Sequence, residues 1–217
     1  AAGGAANSMG KWDGAGWWGV GGGMSNWPFT ATVNALTVFD DGSGPALYAG
    51  GNFTTAGGLS ANHIGKWNGA SWAALGSGMN IGSDVAALAA FDDGSGPALY
   101  AGGDFKTAGG VATNSIAKWN GASWSALGSG MGKPAGSSPP YVSALTVFDD
   151  GTGRALYAGG RFTTAGGVVA NHLAKWNGST WSALGSGVSG GFPWVRDVAV
   201  YDDGRGPAPY AGGPFIT

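Results

Sequence analysis

The sequence predicts an all-β protein, a β-propeller built from four-stranded antiparallel blades, and three observations support this prediction. First, the stretch Phe39–Phe53 returns at Phe91–Phe105, at Phe148–Phe162 and, in altered form, at Tyr201–Phe215. Second, a Lys-Trp pair recurs about every 52 to 57 residues, which is the length of one four-stranded blade. Third, no segment carries apolar residues at helical spacing over three turns.

Each repeat contains four predicted strands. In the first complete repeat, Val33–Phe39 mixes β-branched, apolar and aromatic residues, which predicts a strand covered on both faces. Asp40–Pro45 predicts a hairpin loop, because Asp, Gly and Ser tolerate turn geometry, and Ala46–Ala49 is then the second strand. Asn62–Trp67 and Ser71–Leu75 are the third and fourth strands, joined by an Asn-Gly pair that suits a type I′ turn.

The two ends of the chain are complementary. The N-terminal residues match the third and fourth strands of a repeat, and the C-terminal residues match the first and second. Pairing the ends completes a blade and leaves no open strand edge. Either one chain closes on itself as a four-bladed monomer, or two chains exchange ends in an eight-bladed homodimer; alternatively, the residues belong to a longer array. We therefore expect one domain over residues 1–217, with blades at 33–79, 85–131 and 142–188 and a composite blade from 195–217 and 1–24.

Composition excludes several functional classes. The net charge is −2 and the few charged residues form no basic patch, so nucleic acid is not an expected partner. The chain has no cysteine, which excludes thiol nucleophiles and zinc-thiolate sites, and we expect no cofactor. No apolar run is long enough for a membrane-spanning helix. Low lysine content and abundant Gly, Ser, Thr and Trp favour an exported protein, secreted or at a bacterial cell surface.

The glycine pair and the tryptophans resemble the kelch repeat. In the first complete repeat, Leu47–Gly51 ends an apolar strand with Gly-Gly and is followed by Trp67 and Trp72. The resemblance implies a propeller like that of galactose oxidase, but copper chemistry of that kind requires a cysteine. The Trp-to-Trp interval and the Asp-Asp-Gly-Ser-Gly hairpin depart from kelch and are more similar to Gly- and Trp-rich repeats of large exported bacterial proteins. Kelch-like folds include enzymes and adaptors, so the resemblance assigns no function.

Most recurrent polar residues are predicted to be structural. Paired aspartates such as Asp40 and Asp41 suit calcium, but their place in a short hairpin favours capping of backbone N–H groups. His63 and His172 would face each other across a four-bladed ring, but they have no third ligand, so no metal site is predicted. The repeated tryptophans are expected in the core between blades. Packing roles are also expected for the recurrent lysines Lys11, Lys66, Lys118 and Lys175.

The connections between blades break the symmetry of the repeat, and we expect the ligand site there. Three of the four connections carry proline beside an aromatic residue. Rigid exposed aromatic side chains bind sugars or protein anchors at low entropic cost, although they also suit local packing over the ring. The predicted ligand-binding residues are Trp27, Phe29, Tyr141, Phe192, Trp194 and Arg196.

These observations predict a non-catalytic binding or scaffold protein that recognises a glycan or a protein through its variable loops. One alternative is a structural, engineered or assembly-forming repeat protein without a ligand. Another is an enzyme that acts on a polysaccharide. The enzyme is disfavoured because no repeat gains a cluster of carboxylates, histidines or nucleophiles that the others lack.

Overall fold

The computed structural model describes residues 7–80 and 84–216, and the regular elements in these residues are all β-strands. The all-β prediction is confirmed. In this part of the chain no helix is long and apolar enough to cross a membrane. The strands are β1 (Gly10–Trp12), β2 (Trp17–Gly19), β3 (Met24–Ser25), β4 (Thr32–Asp40), β5 (Pro45–Asn52), β6 (Thr55–Ala56), β7 (Leu59–Ser60), β8 (Ile64–Trp67), β9 (Trp72–Ala74), β10 (Val85–Asp92), β11 (Pro97–Gly103), β12 (Thr107–Ala108), β13 (Val111–Ala112), β14 (Ile116–Trp119), β15 (Trp124–Ala126), β16 (Met131–Gly132), β17 (Tyr141–Asp149), β18 (Arg154–Arg161), β19 (Thr164–Ala165), β20 (Val168–Val169), β21 (Leu173–Trp176), β22 (Trp181–Ala183), β23 (Asp197–Asp202) and β24 (Pro207–Gly212).

Three repeats each form one four-stranded antiparallel sheet, and we call them the first, second and third units. Their strand orders are β4-β5-β8-β9, β10-β11-β14-β15 and β17-β18-β21-β22. The four strands predicted for each of these repeats are confirmed. The connection after the glycine pair also contains a short hairpin, such as β6-β7 in the first unit, which the sequence analysis did not identify.

The first aspartate of each repeated Asp-Asp pair holds the hairpin between the first two strands of the unit. Asp40 Oδ1 accepts hydrogen bonds from the backbone N–H groups of Gly42 and Gly44, at 2.9 and 3.0 Å. Both glycines have positive φ, 95° and 103°, which a side chain would strain. Asp92 and Asp149 accept the same two bonds in the other units. The predicted capping role is confirmed.

The second aspartate of each pair binds a lysine and a tyrosine from neighbouring strands. Lys118 Nζ lies 2.6 Å from Asp93 Oδ2, and Tyr100 Oη donates to the same oxygen at 2.7 Å. These contacts hold the hairpin onto the second and third strands of the sheet. We call such groups Lys-Asp-Tyr clusters. They consist of Lys66 with Asp41 and Tyr48, Lys118 with Asp93 and Tyr100, and Lys175 with Asp150 and Tyr157.

Successive units pack against each other in chain order at the first glycine of each Gly-Gly pair. A Cβ on Gly50 would lie 2.4 Å from Val85 Cγ1 of the next unit, so only glycine allows this approach. The same contact joins Gly102 to Val142 and Gly159 to Val195.

The repeated tryptophans tie each unit to the one before it. Trp124 is buried, and its indole Nε1 donates a hydrogen bond to the backbone oxygen of Leu75 at 2.9 Å. This arrangement satisfies the indole N–H while the ring fills the space between two sheets. The predicted core role is confirmed for Trp72, Trp124 and Trp181, whereas it is wrong for Trp12 and Trp17 of the N-terminal repeat, which are 53% and 64% exposed. Trp72 donates in the same way to Val20, and Trp181 to Leu127.

The two terminal hairpins remain separate two-stranded sheets. Strand β1 pairs with β2 and strand β23 pairs with β24, and no ladder joins these hairpins within residues 7–80 and 84–216. Each hairpin is held by its own neighbour: Val20 accepts the indole of the first unit, and Val195 packs on Gly159 of the third. The prediction that the ends complete one sheet within a single chain is therefore not met in these residues.

Strand β4 of the first unit differs from its counterparts in burial. Leu36 and Val38 are 53% and 65% exposed, whereas Leu88 and Leu145 pack against the core. The prediction of a strand covered on both faces is therefore wrong for the first unit. The reason is that only the two-stranded β1-β2 sheet precedes this unit in the described residues, so no complete sheet lies over this side of β4 there.

Candidate functional site

The residue that precedes the first valine differs from repeat to repeat. In three repeats it is Asp84, Tyr141 and Trp194, and Tyr141 contacts both of the others. Tyr141 Oη donates a hydrogen bond to Asp84 Oδ2 at 3.1 Å. The rings of Tyr141 and Trp194 meet edge to face, with 5.9 Å between their centroids. The structure thus connects one predicted ligand-binding residue with another, although 53 positions separate them in the chain.

Trp194 is held in a defined orientation beside two arginines. Its indole Nε1 donates a hydrogen bond to Ser143 Oγ at 3.0 Å. The guanidinium carbons of Arg196 and Arg161 lie 4.5 and 5.7 Å from the centroid of a Trp194 ring, within the range of cation–π attraction. The predicted residues Tyr141, Trp194 and Arg196 therefore form one contiguous group.

A cavity of about 490 Å³ opens beside this group, and we call it the Trp194 cavity. Its basic, imidazole and aromatic lining residues are Lys133, Arg161, His172, Phe192 and Trp194. Phe192 is 94% exposed. No carboxylate lines this cavity within the described part of the chain.

The electrostatics of the cavity favour an anion. Burial and the charge of Arg161 lower the pKa of Lys133. Burial also lowers the pKa of His172 and favours its neutral form, and this outweighs the opposite effect of the Gly160 backbone oxygen, which lies 3.2 Å from Nδ1. Arg161 lines the cavity and carries a permanent positive charge. Its Nε is buried and, within the described residues, has no hydrogen-bond partner.

The other two predicted ligand-binding residues lie in a second cavity, also of about 490 Å³. Trp27 and Phe29 are 89% and 74% exposed, and they line it together with Asn26. The two cavities share no lining residue. The predicted set therefore divides between two places, and Trp27 offers a control for Trp194.

A second polar group surrounds His63. The backbone N–H of Asp84 donates to Asp104 Oδ1 at 2.7 Å, and Asn34 Nδ2 donates to Asp84 Oδ1 at 2.6 Å. Burial raises the pKa of Asp84 and lowers the pKa of His63. Both carboxylate oxygens of Asp84 thus accept hydrogen bonds, one from Asn34 and one from Tyr141.

The two histidines share an unusual backbone conformation. His63 and His172 have φ of 66° and 69°, and Ser8 and Ser115 at the equivalent positions have 58° and 71°. The left-handed conformation is thus a property of the repeat. In the described residues no three His, Asp or Glu side chains are grouped to hold a metal ion.

Several residues of the two polar groups were not predicted from the sequence, above all Lys133, Arg161 and Asp104. One signal was present: a single position after the glycine pair carries Asn52, Asp104 and Arg161 in successive units. A repeat position that changes the sign of its charge departs from the shared structural pattern, and such positions mark where units acquire separate roles.

Comparison with known proteins does not assign a family. No protein-family model, no curated protein and no solved structure matches this chain.

Proposed function

We propose that this chain is a non-catalytic binding protein of propeller type, which holds a carboxylate-bearing carbohydrate in the Trp194 cavity. The propeller form is supported by three sheets of short antiparallel strands that pack in series through repeated glycine and tryptophan contacts. The composition favours a secreted or cell-surface protein, and that location is part of the proposal.

The observation that carries the proposal is the combination of Trp194 with two cations at a cavity free of acidic lining residues. An aromatic ring packs well against the apolar C–H face of a sugar, and Phe192 offers a second, exposed ring. A guanidinium can bind a carboxylate through two parallel hydrogen bonds, which gives both energy and orientation. Arg161, which lines the cavity, is suited to this role, with Lys133 as a further cation. The cavity volume also lies within the roughly 300–1,000 Å³ typical of small-ligand sites.

The residues that line the Trp194 cavity also support binding without catalysis. Glycoside hydrolysis ordinarily needs two carboxyl groups on either side of the scissile bond, and none lines the Trp194 cavity in the described residues. Asp84 and Asp104 lie in the other polar group, where both oxygens of Asp84 are already held by hydrogen bonds. These contacts give the carboxylates a role in linking neighbouring units.

Isothermal titration calorimetry with a galacturonate oligosaccharide, and with a neutral galactose oligosaccharide of equal length, tests the proposal. We expect the acidic ligand to bind at least tenfold more tightly and to lose affinity as salt concentration rises, because salt screens the charges. Trp194→Ala and Arg161→Met should each weaken binding about tenfold or more. Arg161→Lys keeps the charge but loses the two parallel N–H donors of the guanidinium, so its affinity should lie between those of the unmodified protein and Arg161→Met.

Trp27→Ala is the matched control, because Trp27 is an exposed tryptophan in the other cavity. It should leave the affinity unchanged. Thermal unfolding of each variant checks that the fold is retained. Equal affinity for the neutral oligosaccharide, or no binding of the acidic one, would reject the proposed ligand class.

A further inference from the structure

A fourth Lys-Asp-Tyr cluster exists in the sequence, but its members lie at opposite ends of the chain. By position in the repeat, Lys11 corresponds to Lys118, and Asp203 and Tyr210 correspond to Asp93 and Tyr100. In the structure Lys11 and Asp203 are exposed, and within the described residues they form no ion pair. The three internal clusters bring the lysine and the aspartate to 2.6 Å in every case.

Tyr210 shows the same loss of contact. It is 46% exposed, whereas Tyr100 at the equivalent position is fully buried, with 0% exposure. In the complete units this tyrosine lies under the lysine, with Lys118 Nζ 5.8 Å from the Tyr100 ring centroid. The C-terminal hairpin therefore presents half of a cluster without the strand that would complete it.

The glycine contact between units is also open at the C-terminal end. Gly50, Gly102 and Gly159 each face the first valine of the next unit, but a Cβ on Gly212 would meet nothing within 4 Å. The valine that would fill this place by repeat position is Val33, at the start of the first unit.

The tryptophan contact is open at the N-terminal end. Trp17 corresponds to Trp124, but it is 64% exposed, whereas Trp124 is 5% exposed. Trp124 donates to the backbone oxygen of Leu75 in the preceding unit, and the equivalent oxygen for Trp17 belongs to Leu184 of the third unit. Each terminal surface thus carries one half of contacts that the internal units make in full.

We infer that two copies of this chain associate by exchanging these surfaces, so that β24 of one copy pairs with β1 of the other. The internal ladder gives the register: Tyr48 is opposite Lys66 and Ala49 is opposite Gly65, so Tyr210 should be opposite Lys11 of the second copy. Two such joints, related by a two-fold axis, give a closed ring of eight four-stranded sheets. Closure leaves no open strand edge at either end.

A second copy is the occupant because it supplies every missing half at once. The C-terminal hairpin lacks the strand that carries the lysine and the valine that would pack on Gly212. The N-terminal hairpin lacks the hairpin that carries the aspartate and the tyrosine, and the backbone oxygen that would accept the Trp17 indole. One copy of the chain contains all four. Within one chain the three complete units hold the two hairpins in separate sheets. The inference rests on repeated contacts between units and is independent of the proposed ligand.

Two differences between the joint and the internal sheets bear on the strength of the joint. Arg205 stands where Ser43 accepts a hydrogen bond from Lys66, and Pro209 stands where Leu47 pairs with Trp67. Pro209 has no N–H group and can donate no ladder hydrogen bond. The joint should therefore be weaker than an internal sheet, and the dimer should dissociate on dilution before the units unfold.

Charge reversal and mixing test the inference. Analytical ultracentrifugation of the 217-residue chain over a concentration series should show twice the mass of one chain. Lys11→Glu and Asp203→Lys should each raise the dissociation constant at least tenfold. An equimolar mixture of the two variants should recover dimer, because one joint is then native and the other has its charges exchanged. Lys106→Glu, a reversal at an exposed lysine away from both ends, should have no effect.

Gly212→Val provides a test that does not depend on charge. The added side chain meets open space in the single chain but would occupy the place of the second copy's Val33. The variant should therefore abolish the dimer without changing the far-ultraviolet circular dichroism spectrum of the folded chain. Gly191→Val, where a Cβ also meets nothing within 4 Å, is the matched control. A one-chain mass for the unmodified protein, a mass above two chains, or a mixture of the charge variants that stays monomeric would each overturn the inference.

Discussion

Lys118 Nζ and Asp93 Oδ2 lie 2.6 Å apart, and the Asp93 side chain is only 4% exposed. The equivalent pair in the third unit, Lys175 with Asp150, has the same 2.6 Å separation, but the Asp150 side chain is 37% exposed. The same ion pair thus occurs with a buried aspartate in the second unit and with a partly exposed aspartate in the third. Because water screens an exposed pair more strongly, the two pairs should differ in their contribution to stability.

We expect Lys118→Met to destabilise the protein by roughly 3 kcal/mol, since it leaves a buried carboxylate without its cation. Lys175→Met removes the same bond from a more exposed carboxylate and should cost clearly less. The free energy of unfolding in urea measures both changes, and Lys106→Met at an exposed position is the control. Equal losses from the two cluster variants would show that burial of the aspartate does not determine the contribution.

The same cluster should produce an acid-dependent loss of stability. Burial opposes ionisation of Asp93, but hydrogen bonds from Lys118 and Tyr100 outweigh it and hold the pKa of this carboxyl below its usual value. A lowered folded-state pKa stabilises the protein above the unfolded value of about 3.9, and this contribution is lost as pH falls through the folded value.

Lys118→Met removes a main cause of that lowering, so its free energy of unfolding should fall less steeply than that of the unmodified protein below about pH 4. Urea unfolding at a series of pH values from 2 to 6 gives the two slopes. Parallel slopes would mean that the backbone and the hydroxyl groups hold the carboxylate without the lysine.

The sequence predicted the repeated framework well because each unit contains its own signals. Strand patterns, Asp-Gly hairpins and Asn-Gly turns act over a few residues, and three copies of each confirm one another. The candidate site was only partly predictable, since Lys133, Arg161 and Trp194 come together through packing between units that no local pattern describes. The pairing of the terminal hairpins stayed open for a similar reason: the sequence shows that they are complementary, but it does not show which chain supplies the complement.

The histidines should make stability depend on pH between about 7.5 and 5. Burial lowers the pKa of both His63 and His172, so their contribution is fully present above the unfolded value of about 6.5 and is lost as pH falls through the folded values. Replacing both by asparagine, which tolerates their positive φ, should flatten this part of the profile.

Asp84, beside His63, has a pKa that burial raises and that the charge of His63 lowers, so His172→Asn alone, which leaves this pair intact, is measured beside the double variant. Alanine at the same two positions should cost more stability than asparagine, because it fits a left-handed backbone less well. An unchanged slope in the asparagine variant, measured by urea unfolding at pH 7.5 and 5, would contradict the assignment to the histidines.

The contact between Gly102 and Val142 should be the most sensitive point between the second and third units. A Cβ on Gly102 would lie 2.5 Å from Val142 Cγ1, and both residues lie in the buried packing of neighbouring sheets. Gly102→Ala should therefore destabilise the protein by about 1–3 kcal/mol through overpacking.

Val142→Ala alone should also destabilise it, because it leaves a cavity. The double variant should be more stable than the sum of the two losses predicts, since the removed methyl groups make room for the new one. Urea unfolding of the four proteins completes the cycle, with Gly191→Ala, where a Cβ meets nothing, as the control. Strict additivity of the two losses would show that the units do not meet at this point.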